Sequence, residues 1–220
     1  MYPVSSEVGS VFFKVTALAS RLLLVRHGAI GDSYPPLYVG STDLPLTEEG
    51  RQEAQALARV LPRREPIRCL SSPLRRASQT ADTIASAAGL QVEIDPDLRE
   101  IDFGRWEGKT FEEINASNPE EVDCWVASPR RFSFPEGESF RGFLNRVHRA
   151  TDRITADPAD VVLAVTHGGV IRAMICYLLG LAPENYILFS VETGSVSTIE
   201  LFEKRGVLAE LNNTSHLEEA

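Results

Sequence analysis

Apolar residues arrive along this chain in two rhythms. Continuous runs at Leu22-Leu23-Leu24-Val25, Ile67-Arg68-Cys69-Leu70 and Val161-Val162-Leu163-Ala164-Val165 predict strands buried on both faces. A third strand of the series is predicted over Leu90 to Ile94. Between them the spacing changes to that of helices. Thr47 is a cap with Glu48 and Glu49 in the first turn, Ala54, Leu57, Ala58 and Leu61 give the apolar face, and Pro62 ends it. Ser71-Ser72-Pro73 leads into a helix from about Leu74 to Ala88, closed by Gly89. From Ser139 a long helix carries Phe140, Phe143, Leu144, Val147 and Ile154 on one side. An apolar helix follows His167 and stops at Gly180.

Two segments break the alternation. Gly31, Pro35, Pro36, Gly40 and Pro45 make residues 29–46 a long loop, and loops of that length in a compact domain usually carry function. Residues 96–138 are punctuated by Gly104, Gly108, Pro119, Pro129 and Pro135, which predicts short helical pieces inserted as a cap, its body at about 102–138. Two β-rich runs, 194–202 and 206–212, predict a closing antiparallel edge hairpin. Strands alternating with helices predict an α/β fold with a mainly parallel sheet covered on both faces. Residues 1–20 read as an extension, and 21–217 as a single domain.

The formal charge of −9 excludes a general nucleic-acid-binding surface, though not a small anionic ligand held by a few arginines. Three widely spaced cysteines, Cys69, Cys124 and Cys176, show no metal-ligand spacing and read as buried free thiols. Val11-Phe12-Phe13 with Ala17-Leu18-Ala19 faintly imitates a signal peptide. Lys14 interrupts it and no basic segment precedes it, so a cytoplasmic location without membrane partners is expected. On that reading the sequon Asn212-Asn213-Thr214 has no meaning.

Chemistry concentrates at strand ends. Two of the four histidines, His27 and His167, each follow a buried strand and precede a glycine, and Arg26 adjoins the first. Beyond the carboxyl ends of strands is where open α/β sheets hold ligands. A lone loop histidine is usually only that, but the coincidence of two favours a shared site. A histidine-bound metal would need a third ligand at helical or hairpin spacing, and the sequence offers none. His148, beside Val147 on a helix, and His216, in the tail, are assigned no role.

Arg26-His27-Gly28 after an apolar strand resembles the signature of the histidine phosphatase superfamily, which includes the cofactor-dependent phosphoglycerate mutases. Three further stretches resemble family motifs in the family order. They are Ser71-Ser72-Pro73-Leu74-Arg75-Arg76-Ala77, the acid motif Leu98-Arg99-Glu100-Ile101-Asp102-Phe103-Gly104-Arg105-Trp106-Glu107-Gly108, and Val165-Thr166-His167-Gly168-Gly169. Gly40 to Thr47 resembles the segment before the first helix. The likeness covers about residues 21–216.

The resemblance implies a three-layer α/β/α, phosphoglycerate mutase-like fold with a small helical cap. It implies a phosphomonoester phosphatase in which His27 is the nucleophile and is transiently phosphorylated. Arg26, Arg76 and His167 complete the phosphate pocket, with Gly168 adding a helix N-terminus, and Glu100 is the proton donor. Arg76 is preferred to Arg75 because the family places its arginine directly before the alanine. A cationic His167 would stabilise the transferring group. Neither cofactor nor metal is implied, and the partner is a small phosphomonoester.

Two positions depart from the family. Ala29 stands where glutamate is common, and Ser33 where an asparagine helps bind phosphate, a task a hydroxyl can share. Mutases carry a longer insert with basic residues for a second phosphate; Arg130-Arg131 is a weak imitation and reads as solvent-facing. The mutase therefore stands as the alternative. Residues 161–182 and the tail 211–217 resemble α-ribazole-5′-phosphate phosphatases of cobalamin biosynthesis.

Overall fold

A computed structural model of the 220-residue chain describes residues 20–31, 37–156, 161–202 and 205–218. The extension expected over 1–20 lies outside these, apart from Ser20. Ser20 already belongs to the first strand, β1 (Ser20–Arg26). The chain continues through α1 (Glu48–Val60), β2 (Arg68–Ser71), α2 (Arg75–Ala88) and β3 (Val92–Ile94). α3 (Phe111–Ser117), α4 (Pro119–Ala127) and α5 (Phe140–Ala156) follow, then β4 (Val161–Thr166), α6 (Gly168–Leu179), β5 (Val196–Phe202) and β6 (Arg205–Asn213).

The six strands form one sheet in the order β3-β2-β4-β1-β5-β6. β3, β2, β4 and β1 run parallel, and β5 and β6 are antiparallel. This is the expected mixed α/β architecture with its mainly parallel half. The terminal hairpin differs in one respect. β5 pairs with β1 in the body of the sheet and only β6 is an edge, which leaves β1 paired on both sides.

Side chains alternate across the sheet with period two. Leu23, Val25, Leu163 and Val165 meet Leu57, Ala77, Ala81 and Ile84 of α1 and α2, and Leu61 just beyond α1, on one face. Leu22, Leu24, Val162 and Ala164 meet Phe143, Val147, Ala150, Ile171 and Met174 of α5 and α6 on the other. Burying each large aliphatic side chain in such a layer contributes about 1.5–3 kcal/mol. A polar replacement at Leu24 or Leu163 would open both a cavity and an unmet hydrogen bond.

Thr47 caps α1 as expected, its Oγ1 accepting from Gly50 N at 3.1 Å. Gly89 ends α2 in the left-handed region (φ 69°), and Leu90 N then bonds back to Ala85 O. That closure belongs to the helix, so β3 begins at Val92 rather than Leu90.

Residues 96–138 are short helices and turns held by a cluster of rings. Phe103, Trp106, Trp125, Phe132, Phe134 and Phe140 meet edge-on or tilted at 5.1–5.5 Å. Tyr38 joins them, and its backbone exchanges hydrogen bonds with Gly108 and Lys109, pinning the 37–42 loop to this segment. Cys69 and Cys176 are buried, and burial pushes their thiols up to about 12 and about 11. Cys124 is exposed, against expectation, because α4 turns that face to solvent. Among the described residues no helix is long and apolar enough to cross a membrane.

Candidate active site

The register of the sheet places the two histidine motifs beside one another. β1 and β4 align Val25 with Val165 and Arg26 with Thr166, so His27 and His167 leave adjacent parallel strands at the same level. β2 aligns Ser71 with Val165, which brings Ser72 to the same end. The three strand ends and the first turn of α2 enclose a buried polar cluster of His27, Ser72, Arg76 and His167.

Arg76 is the hub. Its Nε donates to His27 Nε2 and to His167 Nδ1, both at 3.2 Å. Nη1 and Nη2 donate to Thr42 O and Gly40 O, each at 2.7 Å. Arg75, its neighbour, is exposed, with its backbone N–H on Asp43. A helix turns successive residues by about 100°, so only one of the pair can face the strand ends.

His27 Nδ1 lies 2.7 Å from Gly28 O, which makes Nδ1 the protonated nitrogen and leaves the Nε2 lone pair inside the cluster. Burial and the neighbouring guanidiniums of Arg26 and Arg76 hold its pKa well below the ordinary value, so the ring is neutral. His167 has the opposite tautomer. Its Nδ1 accepts from Arg76, so Nε2 carries the proton and donates to Ser72 Oγ at 2.8 Å. Burial first, then His27, Arg76 and Arg26, push its pKa well down. The ring is neutral rather than cationic, because a further charge among buried cations is opposed by both desolvation and repulsion.

Arg26 stands at the end of β1. Its Nη1 donates to Val191 O at 2.6 Å, and its buried Nε has no partner. Gly168 begins α6 beside it; a Cβ there would stand 3.6 Å from Arg26 Nε. The first turn of α6 thus presents its positive end to the same spot.

Glu100 closes the cluster. It is 8% exposed, and its carboxylate accepts from Gly169 N at 2.9 Å and from Ile101 N at 3.0 Å. A Cβ at Gly169 would stand 2.5 Å from Glu100 Oε1, so any larger residue there would displace the carboxylate. Glu100 also opposes the lowering of the Arg26 and Arg76 pKa values by burial. Arg26, His27, Arg76, Glu100, His167 and Gly168 therefore come together. Ser33 lies outside the described residues.

Several supporting residues gave little sign in the sequence. Ser72 fixes the His167 tautomer. Thr80 Oγ1 accepts from Gly28 N and donates to Arg76 O, tying two motifs. Arg146 holds the backbone before the acid through Asp97 O, Arg99 O and Glu100 O, while bonded to Glu138. Its one signal is a charge set between Phe143, Leu144 and Val147 on a buried helical face. Glu107 gathers Gly40 N, Ser41 N, Thr42 N and Thr42 Oγ1, the loop whose carbonyls hold Arg76. His216 is buried, not a free tail residue. Its Nε2 donates to Gly194 O, while Gly194 N donates to His27 O. His148 stacks on Tyr177 at 4.0 Å, away from the cluster.

The position of Ala29 has its own substitute. Glu53, from α1, accepts from Ala29 N at 2.7 Å and from Thr193 Oγ1 at 3.1 Å. Burial raises its pKa.

Comparison with known proteins identifies the family. Residues 22–214 match the family model described as histidine phosphatase superfamily (branch 1). A phosphoserine phosphatase 1 of Hydrogenobacter thermophilus is 36% identical over 200 residues, covering 90% of this chain and 95% of that protein. An adenosylcobalamin/α-ribazole phosphatase of Escherichia coli is 32% identical over 194 residues, covering 88% and 96%. The crystal structure of the α-ribazole phosphatase of Shigella flexneri superposes with a TM-score of 0.79 at 32% identity, covering 88% and 96%.

Proposed function

The chain belongs to the histidine phosphatase superfamily, branch 1, and from that premise we propose that it hydrolyses phosphomonoesters through a phosphohistidine at His27. One observation carries this reading. The hydrogen bond from Nδ1 to Gly28 O leaves the opposite nitrogen as a buried, neutral nucleophile among guanidiniums.

The proposed steps are these. Arg26, Arg76 and the start of α6 hold the phosphoryl oxygens; the guanidinium forks suit that task because they are planar and permanently charged. His27 Nε2 attacks phosphorus in line, and the bond to the leaving oxygen breaks. Glu100 delivers its proton to that oxygen, releasing the alcohol. The Glu100 carboxylate then takes a proton from water, whose oxygen attacks phosphorus. The P–N bond breaks, freeing inorganic phosphate and restoring the imidazole. A phosphoryl dianion seated here reverses the field that keeps His167 neutral, so that ring gains a proton and binds an oxygen. Because arginines supply the positive charge, turnover is expected to be unaffected by EDTA.

The substrates named for the two relatives, phosphoserine and α-ribazole phosphate, mark out the class as small soluble esters, hydrolysed in the cytoplasm where the three free thiols stay reduced. The mutase alternative needs a second phosphate site. Arg130 and Arg131 do not supply one, since both are exposed and Arg130 is bonded to Glu184 at 2.6 Å. Isomerisation of 3-phosphoglycerate primed with 2,3-bisphosphoglycerate is expected to be undetectable.

The decisive experiment is His27→Ala assayed with p-nitrophenyl phosphate, beside alkaline rapid quench of the unaltered protein with radiolabelled substrate. Loss of turnover and label on His27 are expected. Undiminished turnover in the variant would overturn the proposal.

A further inference from the structure

Partly buried arginines normally sit against a carboxylate, because a desolvated cation without a counter-charge is costly. In this protein Arg64, Arg68, Arg99 and Arg146 obey, pairing with Glu210, Glu93 and Glu138. Among the arginines whose side chains are described, three that are buried or half-buried have no carboxylate at ion-pair distance: Arg26, Arg76 and Arg172. The first two are accounted for by the phosphoryl group. Arg172 is surplus to it.

Its position is defined on two sides. Arg172 lies one turn along α6 from Gly168, and helical side chains lean back toward the N-terminus, so it projects toward the turn that faces Arg26. Its Nε donates to Phe189 O at 2.8 Å, while Arg26 Nη1 donates to Val191 O at 2.6 Å. Carbonyls two residues apart thus hold both guanidiniums, on a segment that leaves Phe189 extended (φ −102°, ψ 124°) and spans no more than about 7 Å. Arg172 adds to the lowering of the Arg26 pKa and opposes the raising of the Tyr186 pKa, while Glu100 adds to the latter. The four groups therefore share one electrostatic neighbourhood.

We infer that Arg172 is the binding site for a second anionic group of the substrate, a carboxylate carried close to the phosphate ester. A carboxylate fits better than a second phosphate for two reasons. With Nε committed to Phe189, the two terminal nitrogens offer the edge that pairs with two carboxylate oxygens. A phosphate dianion would need a further cation, and Arg26 and Arg76, the other two arginines of this kind among the described residues, are taken up by the ester phosphate. The preferred esters are therefore O-phosphorylated hydroxy or amino acids, with the carboxylate on the second carbon from the ester oxygen. Esters of uncharged alcohols, nucleosides included, leave Arg172 unmatched. This rests on the phosphatase reading of the same pocket.

The test compares O-phosphoserine with O-phosphoethanolamine, which differs by the carboxylate alone. The unaltered protein is expected to favour O-phosphoserine in kcat/KM by about tenfold to a hundredfold, the worth of a hydrogen bond to a charged group. In Arg172→Gln that ratio should collapse toward unity, and Arg172→Lys should retain part of it. Loss of the brace on Phe189 alone would lower both esters equally and leave the ratio intact, which overturns the inference, as does equal use of the two esters by the unaltered protein. Should the Gln variant not fold, a Lys variant with an undiminished ratio overturns it in the same way. Calorimetric binding of the same two esters to His27→Ala and His27→Ala/Arg172→Gln gives the ratio without turnover. Absence of hydrolysis of every ester would then sink the phosphatase reading while Arg172 was still judged on binding.

Discussion

The rings of His27 and His167 stand 5.1 Å apart at 61°, and a single N–H, that of Arg76 Nε, is shared between them. One guanidinium thereby orients the proposed nucleophile and its opposite ring, while its two remaining nitrogens are anchored on the carbonyls of Gly40 and Thr42. Any phosphoryl oxygen entering between the rings meets a donor that is already aimed.

Arg76→Lys tests that arrangement. An ammonium is a point charge with three donors and cannot reach both rings and both carbonyls in one plane. The buried Gly40 carbonyl and the part-buried Thr42 carbonyl also lose their partners. We expect kcat for p-nitrophenyl phosphate to fall by about 10²–10³, the range for losing a preorganised donor to the transition state. The inhibition constant of inorganic phosphate should rise. Steady-state kinetics with phosphate as a competitive inhibitor checks both.

Glu100→Gln should separate leaving groups. The amide keeps one acceptor oxygen where the carboxylate offers Oε1 to Ile101 N and Oε2 to Gly169 N, and it has no acidic proton to give. Alkyl phosphates, whose alkoxide must be protonated, should lose about 10²–10⁴ in kcat. Aryl esters, which leave as stable phenolates, should lose much less. A plot of log kcat against leaving-group pKa is expected to steepen in the variant; an unchanged slope would remove Glu100 from the proton-donor role.

How much of this was legible beforehand divides along physical lines. The strand runs Leu22–Val25 and Val161–Val165 were readable because burial on both faces leaves an unbroken apolar string. The ends of those strings located His27 and His167. What the string cannot encode is register, and the pairing of Arg26 with Thr166 is what sets the two histidines side by side. The preference for Arg76 over Arg75 rested on family pattern, and helical geometry supplies its reason. The neutral state of His167 ahead of phosphate binding has no sign in the sequence, because it depends on burial and on His27, Arg76, Arg26 and Arg146, which come from separate stretches of the chain. Glu107, Arg146 and His216 were invisible for a similar reason: each acts on backbone atoms far away in sequence, and backbone atoms carry no residue code.

Glu107→Ala follows from that last class. Its carboxylate accepts from four groups of the 40–42 loop and from Phe103 N. Truncation frees the loop that presents Gly40 O and Thr42 O to Arg76. We expect a stability loss of about 1–3 kcal/mol, the scale for hydrogen bonds to a charged group, read as a lower midpoint of urea unfolding. Phosphate affinity should fall as well, although Glu107 touches no phosphoryl oxygen. A variant with unchanged phosphate affinity would separate the loop from the site.

The depressed histidines make stability depend on pH in a defined direction. His27 is faced by Arg26, Arg76 and His167, and His167 by these and Arg146, so both pKa values lie well below 6.5 in the folded protein. In the unfolded chain each ring takes up its proton near 6.5. Above that value neither state binds it and stability is insensitive to these groups. Below it the unfolded state binds more protons than the folded one, so stability falls as pH falls, by up to about 1.4 kcal/mol per pH unit for each ring until the folded pKa is reached. Tm should therefore drop between about pH 6.5 and about pH 5.5, and His27→Asn should make the slope shallower by removing one of the two rings. Inorganic phosphate should flatten it too, since a bound anion raises the folded-state pKa of His167 toward its unfolded value. Thermal melts across that range with and without phosphate measure both effects, and a slope indifferent to the loss of His27 would mean that the ring is not held neutral by its arginines.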